Sequence, residues 1–306
     1  MSYTPRVTVV IPTYNRAALL VETIDSVLRQ SFADLEIVVC DDGSTDDTAA
    51  RVRSFDPRVR YLRLAHTGRP GAPRNRGIAA ARGELIAFLD DDDLWETEKL
   101  ARQVELLDRT GANLVYTDRR LLFEDGARSE PVDSAAPADP DGLTDLLLQG
   151  QFPSVCTVLM HRSLLEQVGG FDETLVTGED FDLWLRIGRI ARTARVPEPL
   201  VLVRRRPGTL SDRSGPLAFE NAIGALERSL ATDNLLTSSQ RRDCRATLAR
   251  LNARLAAFFA RRGEAAPARR ASLQAVRYAP ASPAAWMALA RSVPLSIVMR
   301  RRAGAG

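Results

Sequence analysis

The chain has 306 residues, 45% hydrophobic and 26% charged, which excludes disordered, collagen-like and membrane-spanning compositions and leaves room for one large domain or two. Its formal charge of +3 hides an asymmetry: residues 1–215 carry 27 basic and 34 acidic side chains, whereas residues 216–306 carry 15 and 5. An acidic body followed by a basic, arginine-rich region implies different partners for the two parts.

No stretch reaches the ~18 consecutive apolar residues of a spanning helix. The opening MSYTPRVTVVIPTYNR lacks the layout of a signal peptide. Cys40, Cys156 and Cys244 are widely spaced with no CxxC, which fits reduced thiols better than a disulfide framework or a zinc site. The expectation is a cytoplasmic protein, with peripheral attachment at the inner face of a membrane left open.

Residues 7–11 are a β-branched apolar run stopped by Pro12, as in a buried strand. Leu19, Leu20, Ile24, Val27 and Leu28 then share one helical stripe. EIVVC at 36–40 predicts a second buried strand ending in Asp41-Asp42-Gly43-Ser44, and Ser44 or Thr45 is positioned to cap a helix over 45–53. A strand at 59–64, a helix at 73–82 and a strand at 84–89 follow, the last running into four aspartates.

This alternation predicts an open, mostly parallel α/β sheet flanked by helices, whose ligands bind at strand carboxyl ends. A helix at 98–109 and a strand at 113–117 continue it. Residues 123–141 read as a long mobile loop, of the kind that is usually functional or disordered. A strand at 157–160, helices at 163–168 and 179–190, and a strand at 200–203 complete the first domain, 1–215. Residues 216–306 read as a helical appendage with a break at 263–267. Its segment 265–286 resembles one copy of a helix-pair repeat, too little for an array.

Asp90-Asp91-Asp92-Asp93 is the strongest chemical signal. Four adjacent carboxylates against a buried strand end call for a cation, and oxygen ligands select Mg2+ or Mn2+, which commonly also take phosphate oxygens. Asp41 and Asp42, at another strand end, are placed to accept from a ribose hydroxyl or a base. Pro12-Thr13-Tyr14-Asn15-Arg16 follows the first strand. Arg74 and Arg76 lie near a helix start, where a guanidinium binds phosphate bidentately. Glu179 and Asp180 open a helix, and two readings of Asp180 stay open: general base or helix N-cap.

Together, VVIPTYNR, VCDDGSTDDT, APRNRGIAAARGELIAFLDDDDLW, VGGFDE and GEDFDLWLRI resemble the successive signatures of the family 2 inverting glycosyltransferases. The resemblance covers about residues 6–210. It implies a GT-A, Rossmann-like fold, a nucleotide-diphosphate sugar as donor, a divalent metal, and an acceptor hydroxyl on a glycan or a lipid-linked molecule. Carried over position by position, it implies that Pro12 and Tyr14 line the base pocket and that Asp42 accepts from the base. Arg74 would reach the nucleotide, Asp90 and Asp91 would sit near ribose and sugar, and Asp92 would bind the metal. Asp180 would be the general base with Glu179 beside it, and Trp184 would shape the acceptor side.

Where members often carry a metal-binding histidine, in a late RxHPGSLS-like loop, this sequence has Arg206. Two readings follow: Asp92 and the phosphates suffice for the metal, or Arg206 contacts the diphosphate directly. The QxxRW signature of processive members is missing, which favours transfer of one sugar per encounter.

Two other functions fit the sequence less well. A nucleotidyltransferase is disfavoured by the absence of glycine in PTYNR, and a catalytically silent nucleotide-binding protein by the intact acidic run with Glu179 and Asp180. Residues 216–306 read first as a helical cap on the catalytic domain; the sharper alternative is that Arg300, Arg301 and Arg302, after the apolar 293–299, touch anionic headgroups, at about 1 kcal/mol each. The basic region is a poor stacking surface, so no nucleic acid is expected.

Overall fold

The computed structural model describes residues 4–132, 135–137, 139–206 and 215–292. The expectations for residues 207–211 and for 293–302 therefore lie outside the described residues. The chain divides into two compact units, Met1–Leu147 with Gln151–Thr209, and Leu148–Gly150 with Leu210–Gly306.

The first unit is built on an eight-stranded sheet of order β3-β2-β1-β4-β7-β6-β8-β5. Its strands are β1 (Val7–Thr13), β2 (Leu35–Asp41), β3 (Val59–Arg63), β4 (Leu85–Phe88), β5 (Leu94–Trp95), β6 (Leu114–Leu122), β7 (Val158–His161) and β8 (Thr193–Arg204). β1 pairs in parallel with β2 and β4, as does β2 with β3 and β6 with β8, whereas β7 runs antiparallel to β4 and β6. Buried on both faces, β1, β2 and β4 are mostly apolar rather than alternating, with Thr8 of β1 donating to Glu36 of β2 at 2.9 Å.

Helices α1 (Ala17–Leu28), α2 (Thr48–Arg53), α3 (Gly71–Ala80), α4 (Lys99–Thr110), α5 (Leu143–Leu148), α6 (Arg162–Val168) and α7 (Glu179–Ile187) accompany the sheet. Leu20, Ile24 and Val27 of α1 and Leu100, Val104 and Leu107 of α4 join the main core with Val7, Val9, Ile37 and Leu85.

Gly77 sets the place of α3. A Cβ there would lie 2.3 Å from Val10 Cγ1 and 3.1 Å from Cys40 Sγ, so only glycine lets this helix rest so close to β1 and β2. The segment after β6 is partly ordered against it, through bridges Arg119–Val132 and Leu122–Arg128. Neither Ser44 nor Thr45 caps α2, which starts later, behind Asp47; Ser44 Oγ accepts from Asn15 N instead.

The second unit contains α8 (Pro216–Thr232), α9 (Ser238–Arg261), α10 (Ala265–Tyr278) and α11 (Pro283–Ser292). Thr237 and Gln240 form a capping box at the start of α9, and Gly263 at φ +76° turns the chain into α10. Ala268, Ala271 and Ala275 are the buried stripe of α10. Cys40, Cys156 and Cys244 are all free and buried. Among the described residues no helix is long and apolar enough to cross a membrane.

Candidate active site

Three loops leave β1, β2 and β4 at their carboxyl ends, and hydrogen bonds lace the first two together. Asn15 adopts φ +51°, a left-handed conformation that asparagine tolerates better than most residues. In that pose its N–H donates to Ser44 Oγ at 2.8 Å and its Oδ1 accepts from Thr45 N at 2.7 Å. Asp46 Oδ2 accepts from Ala17 N at 3.1 Å, which ties the second loop to the start of α1. Asp41 is fully buried and holds its own loop, accepting from Ser44 N and from the Tyr61 hydroxyl.

The carboxylate of Asp42 accepts from Thr67 N, Thr67 Oγ1 and Gly68 N, each at 2.9 Å. His66 Nδ1 lies 2.8 Å from the Asp42 carbonyl oxygen, which turns the imidazole toward Tyr14. The two rings stack with centroids 4.1 Å apart and planes 22° apart. Pro12 is half-buried in β1, opposite Cys40 of β2. A flat, partly exposed aromatic surface thus borders a fixed carboxylate.

The aspartate run after β4 is held apart by arginines. Asp91 accepts from Thr13 Oγ1 at 2.8 Å and from Arg16 Nη1 at 2.8 Å. Burial still pushes its carboxyl up to about 6, against the pull of Arg16 and with Asp92 adding to the rise. Asp92 Oδ2 accepts from Arg206 Nη2 at 2.7 Å and from Arg16 Nη1 at 3.1 Å. Asp93 is buried, accepts from Arg204 N at 3.0 Å, and is raised well above the usual carboxylate range by burial and by Asp90 and Asp92.

Arg74 projects from the first turn of α3 and is 4% exposed. Its Nη2 donates to Asp90 Oδ1 at 2.7 Å and its Nη1 to Glu179 Oε1 at 2.5 Å, residues 105 positions apart. Burial opposes its charge, but Asp90 and Glu179 hold it firmly protonated. In this structure Arg74 bridges two carboxylates.

Glu179 and Asp180 open α7. The N-cap is Gly178, at φ +75° and with no side-chain cap, so Asp180 stands inside the first turn rather than capping it. Among the described residues its Oδ1 accepts from the next amide, Phe181 N, at 2.7 Å. Burial, then the neighbouring Glu179 carboxylate, raise Asp180 to about 7, while Arg74 pulls the other way.

Asp92 fits a divalent cation of the magnesium or manganese type that arrives with a phosphate ligand. Such ions commonly bind one or two carboxylates and complete their shell with water and substrate oxygens. Among the described residues no group of three or more His, Cys, Asp or Glu forms a self-sufficient metal cage. The buried nitrogens Arg74 Nε and Arg206 Nε lack an acceptor among the described residues, which suits an anion entering here.

The structure therefore brings Tyr14 and Asp42 to one side, and Asp90, Asp91, Asp92, Arg74, Glu179 and Asp180 to another, all within the first unit. One expectation fails: Trp184 is 0% exposed, and its Nε1 donates to Pro153 O at 3.1 Å, so it is core rather than an acceptor surface. Thr13, Arg16 and His66 received no role in the sequence. Arg16 closes the PTYNR motif, and His66 is one of only two histidines, signals that single out neither without the pairing partners.

The model of Glycosyl transferase family 2 matches residues 8–169. The succinoglycan biosynthesis protein ExoO of Rhizobium meliloti is 36% identical over 189 residues, covering 58% of this chain and 54% of that protein. The Escherichia coli UDP-Glc:alpha-D-GlcNAc-diphosphoundecaprenol beta-1,3-glucosyltransferase WfgD is 31% identical over 183 residues, covering 59% and 69%. The shared stretch spans from 26% to 54% of the length of the first three curated relatives matched.

Two solved structures share the fold. S. aureus TarS in complex with UDP-GlcNAc has a TM-score of 0.62 at 19% identity, covering 89% of both chains. The mannosyltransferase PcManGT from Pyrobaculum calidifontis, in complex with GDP-Man and Mn2+, has a TM-score of 0.61 at 22% identity, covering 94% of this chain and 79% of that one.

Proposed function

The chain belongs to glycosyl transferase family 2, and on that premise we propose that it moves one sugar from a nucleotide diphosphate to an acceptor hydroxyl, inverting the anomeric carbon. One observation carries this reading: Asp180, raised to about 7, is set apart from the arginine-paired aspartates after β4 yet linked to them through Glu179, Arg74 and Asp90. A base with an affinity for protons near the working pH is well matched to an alcohol nucleophile.

In this reading Tyr14, with Pro12 behind it and His66 against its ring, receives the base, and Asp42 accepts from the base edge while Thr67 and Gly68 hold it in place. Asp90 and Asp91 face the ribose and the sugar. Asp92 would hold the divalent cation, Mn2+ or Mg2+, that accompanies the diphosphate. The bound ion supplies Lewis-acid stabilisation of the charge on the leaving diphosphate. Arg206, paired to Asp92 through one nitrogen and with a buried Nε lacking an acceptor among the described residues, turns that edge to the diphosphate.

The acceptor oxygen attacks the anomeric carbon as Asp180 takes its proton. The bond from that carbon to the diphosphate oxygen breaks, and a nucleoside diphosphate leaves. A single displacement inverts the centre. Glu179 is ion-paired and therefore the poorer candidate for the proton.

The likeness to ExoO and WfgD supports a role in polysaccharide or cell-envelope glycan synthesis, with a glycan or lipid-linked acceptor. In that setting the protein works in the cytoplasm. The assignment is tested by a thermal-shift screen of nucleotide sugars with and without Mn2+ or Mg2+, because ligands that bind the folded state raise its apparent stability by mass action. A shift selective for one metal-supported nucleotide sugar is expected. A flat response across uridine and guanosine diphosphate sugars with either metal would remove the reading.

A further inference from the structure

We propose that Arg74 is a positioning residue for the base: by bridging Asp90 and Glu179 it fixes the first turn of α7 and sets the charge beside Asp180. The inference rests on the reading of Asp180 as the base and goes beyond it by naming what holds that base in place.

The geometry that carries it is specific. Arg74 enters the site from α3, which only a glycine at 77 allows so close to β1 and β2. Its guanidinium lies 5.4 Å from the centre of the Phe171 ring, which faces it just before α7. One terminal nitrogen then holds the end of β4 and the other holds the first residue of α7. Gly178, at φ +75°, precedes that turn with no side-chain cap, and the Arg74–Glu179 pair anchors it from outside the helix. Asp180 is the next residue and has no ion pair of its own among the described residues.

The charged groups that face Asp180 are Glu179 on its own helix, Arg74 from α3 and Asp90 from the end of β4. The two carboxylates disfavour its ionised form and the guanidinium favours it. A residue that only filled space would leave this balance untouched. One that positions the base changes it, and changes it in opposite directions when Arg74 or Glu179 is altered.

The test is a carboxyl-13C aspartate NMR titration of the full chain, with the Asp180 signal assigned by its loss in Asp180→Asn. The wild-type signal is expected to titrate near 7. In Glu179→Gln its midpoint should fall by about one pH unit or more, because a neighbouring negative charge is gone. In Arg74→Gln it should rise by a similar amount, and Arg74→Lys, which keeps the charge but loses the fork, should lie between. If Arg74→Gln does not fold, Arg74→Lys with Glu179→Gln decides the matter.

A midpoint unmoved by these variants, or moved in the same direction by both residues, overturns the proposal. Calorimetric titration of the same proteins with UDP and GDP in the presence of Mn2+ separates the two layers. Failure of wild type to bind either nucleotide strikes the transferase reading, whereas the NMR midpoints judge the Arg74 bridge by themselves.

Discussion

Two acidic regions of the first unit are built from the same side chains and behave differently. After β4, Asp91 and Asp92 are met by Arg16 and Arg206, which in the proposed reading share the cluster with a cation and its diphosphate. At the start of α7, Asp180 sits in the shelter of Glu179 with its nearest arginine spent on other carboxylates. In the proposed reading, arginine placement rather than the number of aspartates divides anion and metal binding from proton transfer.

The comparison breaks most visibly at Asp92. Asp92→Ala should lower metal-supported binding of a nucleoside diphosphate by about a hundredfold or more, since even the groups that merely orient metal ligands cost 10–100-fold when lost. Calorimetry with and without Mn2+ measures it, and binding that stays metal-dependent in the variant contradicts the assignment. Arg206→Gln sharpens the same side. A lost hydrogen bond to a charged group costs roughly 1.5–3 kcal/mol, so affinity for a nucleoside diphosphate should fall by about ten- to a hundredfold while that for the monophosphate barely changes. Equal losses for the two nucleotides would show that Arg206 does not meet the second phosphate.

A smaller effect probes the core behind the cluster. Lys99, the chain's one lysine, is fully buried, donates to Gln103 Oε1 at 2.7 Å and lies 3.9 Å from the centre of the Trp95 ring. Burial lowers its amine to about 7, with Cys156 opposing. The unfolded chain then binds the proton more tightly than the folded one, so this residue's contribution to stability rises with pH from about 7 toward the ordinary lysine value. Lys99→Met should therefore be more stable than wild type at pH 6, with the advantage shrinking by pH 9. Denaturant melts at both pH values check the sign, and an advantage that grows with pH refutes it.

Much of this was legible in the sequence for physical reasons. Strands buried on both faces read as apolar runs, so β1, β2 and β4 and the loops at their ends were visible, and with them Tyr14, Asp42 and the aspartates. β5 was not, because two residues carry no periodicity and Leu94 and Trp95 become a strand only by pairing with Leu202 and Val201. The first half of β8 was hidden by Pro197 and Pro199, where its pairing with β6 shifts register. The Arg74–Glu179 pair joins residues 105 apart, and no local pattern announces it. Trp184 misled because an aromatic in a signature motif reads equally as surface or core.

The most direct measurement compares wild type and Asp180→Asn with the nucleotide sugar selected by the thermal-shift screen, following both donor binding and release of the nucleoside diphosphate across pH 5 to 9. The account predicts unchanged donor binding, turnover reduced by about 10²- to 10⁴-fold, and a wild-type rate that rises with pH through about 7 as Asp180 becomes a carboxylate. Turnover at the wild-type rate in Asp180→Asn would contradict it.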